Sequence, residues 1–422
     1  MNRSDAHRVV VTGTGCVSVL GEEPAAMLEG LLAGRSGITR WKRQPGTLYS
    51  KIGGDLTNFD VRRHFSTWPR EIAGRAQVVL RTVAPAGQMV AASVFQALNE
   101  AGAIDLCDKA MAHIAGTHNT NEQFMFDQAL QYATEPEYVD SNYTIVGSDI
   151  DVMSPSNELF RIGGPSFTVG GACASSNVAL IVALDLLRAG RAKRAVVSGA
   201  AMTISPLALQ GWAFIEALSL DTFIDEPQRA SRPFDIRREG FVPSEGAGAV
   251  VLETLCEARL RGAPVLAEIA GGAITSAACR GTRTDVEAQK RAICGALQDA
   301  EISAAAIDYV NAHGTSTPVG DLNEMEALRQ ALGSYAGRPL VNSSKAMLGH
   351  ALQAASILEL IATVGQMRAG VIHATVNLDE VDPAFRDFKF VGDFPREATV
   401  NVAVSNAFGF GGVNAVVVVR RL

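Results

Sequence analysis

A thiol, two imidazoles and an ammonium group stand where this chain changes from one element to the next. The thiol is Cys173, inside the stretch Gly164-Pro165-Ser166-Phe167-Thr168-Val169-Gly170-Gly171-Ala172-Cys173-Ala174-Ser175-Ser176-Asn177. This reads as strand, tight turn and helix. Phe167 to Val169 are apolar or β-branched, as a buried strand wants. Gly170 and Gly171 permit backbone angles that side chains resist. From Ala174 onward apolar positions recur at Val178, Ile181, Val182, Ala183, Leu186 and Leu187, giving a helix with one thick apolar face. Unpaired N–H groups and the positive end of the helix dipole are therefore expected to point at the Cys173 sulfur. Such a place lowers a thiol pKa and makes a nucleophile. The plainer alternative is a buried structural cysteine.

The other capable groups occupy similar places. A strand delivers His313 into a loop, His313-Gly314-Thr315-Ser316-Thr317, that leads on to Asp321. Lys345 and His350 share Asn342 to His350, a loop running into a helix. Glu359 lies nine residues beyond His350 on that helix, and Asp321 and Glu324 stand one turn apart on the helix before. Ser405 to Asn414, with Phe408 and Phe410 among glycines, is a turn between two strands. A lone histidine is more often structural than catalytic. Two at element ends, beside glycine-rich loops and a lysine, point to a site.

The elements that must position these residues alternate along the chain. Residues 9–15 form a buried strand ending in a glycine turn. Its Gly13-x-Gly15 lacks the third glycine that a dinucleotide site requires. Helices are expected over 24–32 and 86–101, and strands over 113–116 and 195–200. The polar run Thr117-His118-Asn119-Thr120-Asn121-Glu122 is either a surface loop or the lining of a pocket. Ser231 to Asp235 and Gly240 to Gly248 make an irregular Gly/Pro-rich loop feeding a strand over 249–253. The pattern then restarts, with strands over 265–269, 307–312, 340–342, 400–405 and 415–420 and helices over 286–300, 322–332 and 351–367. Alternating strands and helices imply a mostly parallel, buried sheet. Two halves of similar order suggest an internally duplicated α/β fold, although no sequence period is visible.

Composition agrees with an enzyme. Of 422 residues, 47% are hydrophobic, enough for a large core in two packed halves. The net charge of −7 argues against a nucleic-acid partner. The first seven residues lack the basic-then-apolar order of a secretory signal, and no uninterrupted apolar run is long enough to span a membrane. The six cysteines, at 16, 107, 173, 256, 279 and 294, form no CxxC pair. That pattern suits reduced thiols in the cytoplasm and speaks against a disulfide framework or a metal site. Arg62, Arg63, Arg70, Arg75 and Arg81 form a local basic patch, either a solvated face or a dock for an acidic partner.

On these residues the chain resembles the β-ketoacyl-[acyl carrier protein] synthases, the condensing enzymes of fatty-acid and polyketide assembly. The resemblance covers nearly the whole chain. Its most specific part is the Cys–His–Lys–His set, with 140 residues from Cys173 to His313, 32 more to Lys345 and 5 more to His350. These spacings agree with the elongating branch. The resemblance implies a thiolase-like α/β fold of two duplicated halves in a five-layer αβαβα arrangement. Residues 1–262 would form the half with the nucleophile and 263–422 the half with the catalytic histidines. It further implies that Cys173 accepts an acyl chain from a carrier protein's phosphopantetheine, with no other cofactor and no metal. The N–H groups of Cys173 and Phe410 would hold the thioester oxyanion. His313 and His350 would stabilise the enolate left when a malonyl extender loses CO2. Lys345 would pair with Glu359 or with the Asp321/Glu324 side. Thr315 and Thr317 would meet the pantetheine amides, with Phe408 and Phe410 beside the substrate and Phe410 as gate. Partners would be the carrier protein and a second subunit, identical or a chain-length-factor-like homologue, with no nucleic acid and no membrane.

Several positions depart from the family pattern. They are the polar bulk of Thr117 to Asn121, Gly170-Gly171-Ala172 ahead of the nucleophile, the Ala277-to-Thr284 loop with Arg280 and Thr282, and Gln353 and Ser356 after His350. Together they suggest a specialised enzyme of secondary metabolism. A non-catalytic chain-length subunit and a synthase repurposed for another acyl transfer are the competing readings.

Overall fold

An eleven-stranded mixed sheet runs through residues 5–42 and 50–422, those described by the computed structural model. Its strands are β1 (Val9–Ser18), β2 (Met111–Gly116), β3 (Ser166–Val169), β4 (Arg194–Ala200), β5 (Gly246–Thr254), β6 (Ala267–Ser276), β7 (Tyr309–Asn311), β8 (Leu340–Asn342), β9 (Lys389–Phe390), β10 (Val402–Phe408) and β11 (Val413–Arg420). The spatial order is β9-β8-β7-β10-β11-β6-β1-β5-β4-β2-β3.

Read outward from the middle, the two sides repeat each other. On one side β1-β5 and β5-β4 are antiparallel, and β4-β2 and β2-β3 are parallel. On the other, β6-β11 and β11-β10 are antiparallel, and β10-β7 and β7-β8 are parallel. The sides join through the three residue pairs Val9↔Ile269, Val10↔Glu268 and Val11↔Ala267 of β1 and β6. The duplication expected from element order is thus visible as topology. The expectation of a mostly parallel sheet is corrected. Valine-rich strands buried on both faces read alike whichever way they run, and the antiparallel ones fill the centre.

Helices supply the other layers. They are α1 (Pro85–Glu100), α2 (Glu122–Thr134), α3 (Ser175–Arg188), α4 (Val286–Ala300), α5 (Pro318–Leu332) and α6 (Ala355–Ala369). α1 covers the outer face of β1, β4 and β5, where Met89, Val90 and Val94 meet Val196, Ala249 and Val251. α4 and α5 cover the other outer face, with Ile293 and Leu328 among Val404, Val416 and Val418. α3 and α6 lie between the two sides of the sheet. Leu180, Leu184, Ile357 and Ile361 share one cluster with Val197 and Val250 from one side and Ala403 and Val417 from the other. This is the αβαβα stack, and α3 and α6 are buried because both their faces meet a sheet.

Glycines allow the closest approaches. A Cβ on Gly116 would lie 2.5 Å from the Ser175 carbonyl oxygen, and one on Gly199 would lie 2.1 Å from Ser176 Oγ. The start of α3 therefore seats directly on β2 and β4. Strand β6 runs on to Ser276, past the expected end at 269, because Gly271 lets α4 pack on it: a Cβ there would meet Ala300 N at 2.4 Å. Of the N-terminal run read for a secretory signal, residues 1–4 lie outside the described residues. Among those described, no helix is long and apolar enough to cross a membrane.

Candidate active site

Cys173 occupies a single 3-10 turn, Ala172–Ala174, between β3 and α3. Ala172 has φ +48°, a left-handed conformation that a residue with a Cβ adopts only when its surroundings impose it. Ser175 imposes it here. Its Oγ accepts the Gly171 N–H at 2.9 Å and donates to the Ala172 carbonyl at 2.7 Å. The turn between β10 and β11 comes down onto this one at Gly409, whose Cβ, if present, would lie 2.5 Å from the Gly171 oxygen. That contact brings the Phe410 N–H beside the Cys173 N–H, and both donate toward the sulfur.

The sequence led us to expect a lowered thiol pKa. Burial instead pushes the Cys173 thiol up to about 11, against the pull of the Lys345 charge and of the two backbone N–H groups. Removal from water outweighs two dipoles and one cation at this site. The resting group is the thiol.

His313 follows β7, and His350 follows β8 and a four-residue helix, Lys345–Leu348. In the repeat of the fold, the β8–α6 connection carrying His350 matches the β3–α3 connection carrying Cys173. The two imidazoles stand edge to face, with centroids 5.4 Å apart and planes at 84°. Both are buried, and neither Nδ1 atom has a hydrogen-bond partner among the described residues. Burial and then the Lys345 charge hold both well below the ordinary imidazole value, so both rings are neutral at pH 7. A neutral imidazole can donate one N–H without carrying charge into the cleft.

Lys345 is fully buried. Its Nζ donates to the His313 carbonyl at 2.6 Å and forms an ion pair with Glu359. Of the two partners expected for this lysine, the structure selects Glu359. Burial raises the Glu359 carboxyl to about 7, against the opposing pull of Lys345. Glu324 accepts the N–H groups of His313 and Gly314, each at 2.7 Å, and Asn406 Nδ2 at 2.9 Å. It therefore fixes the His313 loop to strand β10. Asp321 accepts N–H from Phe234 and Ser316 at 2.9 and 3.1 Å, and burial raises it to about 7.

Thr315 and Thr317 hydroxyls lie 3.0 Å apart, bonded to each other. Phe408 is buried, edge-on to His313 at 5.9 Å, while Phe410 is 36% exposed. The Thr117-to-Asn121 run is mostly turned inward, with His118 half-buried and Asn119 exposed. Thr117, Thr120 and Asn121 are buried, with Thr117 Oγ1 on Thr120 Oγ1 at 2.6 Å and Asn121 Nδ2 on the Val146 carbonyl at 2.6 Å.

Four residues of one loop, and Asn177 besides, brace the site and were assigned no role from the sequence. Ser231 Oγ donates to the Lys345 carbonyl at 2.7 Å, and the Phe241 ring stands edge-on to His350 at 5.3 Å. Val242 and Ser244 grip the His350 backbone at 2.7 and 2.9 Å. All come from the Gly/Pro-rich loop of 231–248, which has no periodicity to read. Asn177 Nδ2 donates to the Ser405 and Ala415 carbonyls, tying α3 to both strands that flank the Phe410 turn. Its signal was present: a polar side chain on the apolar face of a buried helix. The basic patch is thinner than its sequence suggested. Arg62 is held by Asp60 at 2.8 and 2.9 Å and Arg75 by the Leu159 carbonyl, leaving Arg63, Arg70 and Arg81 exposed. All six cysteines are unpaired. No cluster of three metal-binding side chains occurs among the described residues.

Comparison with known proteins identifies the family and the fold. The profile of the β-ketoacyl synthase N-terminal domain matches residues 6–258, and that of the C-terminal domain matches residues 266–379. The chain is 34% identical over 416 residues to 3-oxoacyl-[acyl-carrier-protein] synthase I, chloroplastic, of Arabidopsis thaliana, covering 97% of this chain and 86% of the relative. It is 29% identical to the polyketide biosynthesis malonyl-ACP decarboxylase PksF of Bacillus subtilis, across 100% of this chain and 98% of that one. Among solved structures, the ishigamide ketosynthase/chain length factor superposes with a TM-score of 0.88 at 29% identity, covering 98% of this chain and 99% of that one. With both domain profiles matched and the thiolase-like layering observed, the chain belongs to the β-ketoacyl synthase family.

Proposed function

We propose that the protein catalyses decarboxylative Claisen condensation: an acyl group on Cys173 is extended by malonyl-[acyl carrier protein] to 3-ketoacyl-[acyl carrier protein]. The observation that carries this reading is the convergence of a thiol, two N–H donors on its sulfur and a pair of neutral imidazoles held around one buried Lys345–Glu359 pair.

In the first step the Cys173 sulfur attacks the acyl thioester of a carrier's phosphopantetheine. The thiol proton passes to the departing carrier thiolate, and the acyl–sulfur bond is exchanged. The N–H groups of Cys173 and Phe410 hold the oxyanion of the tetrahedral intermediate. In the second step the malonyl carboxylate leaves as CO2, and its bonding electrons form a thioester enolate. His313 and His350 donate N–H to the enolate oxygen. The enolate carbon then attacks the acyl-Cys carbonyl, a carbon–carbon bond forms, and the Cys173 thiolate leaves and takes up a proton. Lys345 does not react. It keeps both rings neutral by its charge and orders the His313 backbone. Asp321, Glu324 and Glu359 support the two histidine loops, and Thr315 and Thr317 meet the pantetheine amides. Phe408 walls the His313 side, and Phe410 moves to admit the acyl chain.

The two halves, 1–262 and 263–422, thus contribute nucleophile and histidines respectively. The carrier protein is the acidic partner for Arg63, Arg70 and Arg81. A second subunit, identical or a chain-length-factor-like homologue, covers the edge strand β3, where Phe167 is 37% exposed. On this reading the enzyme works in the cytoplasm, in polyketide or specialised fatty-acid biosynthesis, and no cofactor beyond the carrier's phosphopantetheine is required. Retention of Cys173, His313 and His350 speaks against a non-catalytic subunit.

Intact-protein mass spectrometry tests the scheme. An acyl-carrier donor adds its acyl mass to the wild type and not to Cys173→Ala, while Cys173→Gln still releases CO2 from malonyl-carrier and yields no ketoacyl product. An acyl adduct at the active site of Cys173→Ala, or ketoacyl output from Cys173→Gln, overturns it.

A further inference from the structure

Asn177 takes no part in the condensation chemistry, yet it stands four residues beyond Cys173, as the third residue of α3. Its side chain is fully buried, on a helix that packs Leu180, Leu184 and Leu187 into the central cluster. An apolar side chain would suit that place better. Burial strips water from the amide, and Asn177 Oδ1 has no hydrogen-bond partner among the described residues. Leaving such an acceptor unpaired costs stability, so packing alone does not explain the residue.

The amide acts through Nδ2. Its two protons go to the Ser405 carbonyl at 3.2 Å and the Ala415 carbonyl at 3.1 Å. Ser405 lies on β10 and Ala415 on β11, each five residues from Phe410, so these bonds hold both stems of one hairpin. At its tip, Gly411 and Gly412 have φ +75° and +74°, the left-handed region that glycine enters freely. The tip is closed by the Gly409 N–H on the Val413 carbonyl at 2.7 Å. A short, closed tip of this kind is carried by its stems, and the Phe410 N–H with it. The other end of the link is fixed as well. The Asn177 N–H, one of those that a helix start leaves unpaired, donates to Ser356 Oγ of α6 at 3.0 Å. The cap residue Ala174 supplies no side-chain bond of its own. The head of α3, where the Cys173 N–H stands, is thus held from the other half.

We propose that Asn177 is a positioning residue for acyl transfer: by tying the head of the nucleophile helix to both stems of the Phe410 hairpin, it sets the spacing of the two N–H groups that receive the thioester oxyanion. The inference rests on the reading of those N–H groups, at Cys173 and Phe410, as the oxyanion site. The imidazoles have holders of their own, Lys345 and Glu324 for the His313 backbone and Val242 and Ser244 for that of His350. Loss of the Asn177 bonds should therefore slow attack on an acyl thioester and spare the loss of CO2 from a malonyl one.

The test separates these half-reactions in the whole protein. Acylation of Cys173 by acetyl-, butyryl- and octanoyl-pantetheine thioesters is timed by intact mass in the wild type, in Asn177→Leu and in Asn177→Ala. Release of CO2 from malonyl-pantetheine is measured with the same substitutions placed on Cys173→Gln. Leucine keeps the volume and removes both donors, and alanine serves where leucine does not pack. Acylation is expected to slow about tenfold or more, with CO2 release within about threefold of Cys173→Gln alone. Both half-reactions need folded protein, so their contrast survives partial unfolding. Acylation within about twofold of wild type in both variants overturns the inference. A parallel fall in both half-reactions does so too, since it makes Asn177 a residue of stability only. Failure of all three donors to acylate wild-type Cys173 overturns the condensing reading and this inference with it.

Discussion

At the scale of single residues, the site is defined by which groups lack charge. Cys173 rests as a thiol because its sulfur is buried. His313 and His350 rest as imidazoles because burial and the Lys345 ammonium both oppose a second cation. In the proposed reaction Cys173 would therefore become a thiolate only as its proton is handed on, and the two histidines would stand ready as donors throughout the neutral range. With the thiol near 11, its thiolate fraction grows tenfold for each pH unit below that value. Alkylation of Cys173 by a small neutral electrophile, followed by mass, should accelerate about tenfold per unit from pH 7 to 9. A plateau below pH 8 would show that the thiol is activated at rest.

Elements decide how close these groups come. The proposed oxyanion donors belong to two turns from different halves, and their contact depends on Gly409. Its φ of −106° suits any residue, so the constraint there is space alone. In Gly409→Ala the new methyl would meet the Gly171 oxygen at 2.5 Å and Cys173 N at 3.2 Å. The Phe410 N–H should move off the proposed oxyanion position and kcat should fall about a hundredfold with KM little changed, and the melting temperature should drop because the atom met is backbone and must shift. A kcat within about twofold of wild type in steady-state assays would remove the Phe410 amide from the mechanism.

For the molecule as a whole, the proposed encounter with a carrier protein would turn on charge. The chain is acidic overall, at −7, yet Arg63, Arg70 and Arg81 are exposed within a short segment that holds few acids. Like charges elsewhere on the surface would repel an acidic carrier, and this segment would steer it. Reversing all three to Glu should weaken carrier binding about tenfold at 50 mM salt, a loss that shrinks at 500 mM as screening shortens the reach of each charge. Unchanged affinity at both salt concentrations, measured by titration, would place the dock elsewhere.

Much of this protein was legible before any folding. Valine-rich runs, the strand–glycine–helix passage through Cys173 and the regular return of helices disclosed the elements, because backbone preference and burial act locally. α4 and β8 lie where their periodicity placed them. The chemical groups were legible too, since a thiol, two imidazoles and a lysine at element ends are rare together. Strand direction was not, because a strand buried on both faces carries the same residues either way. Nor was the ionisation of Cys173: local sequence shows a helix start, while its burial and the Lys345 charge depend on how distant segments pack. The choice of Glu359 over Asp321 as lysine partner, the bracing by Ser231 and Phe241, and the meeting of Asn177 with Ser405 and Ala415 all join segments far apart in the chain. Only the packing of two repeated halves around α3 and α6 brings them within hydrogen-bond range.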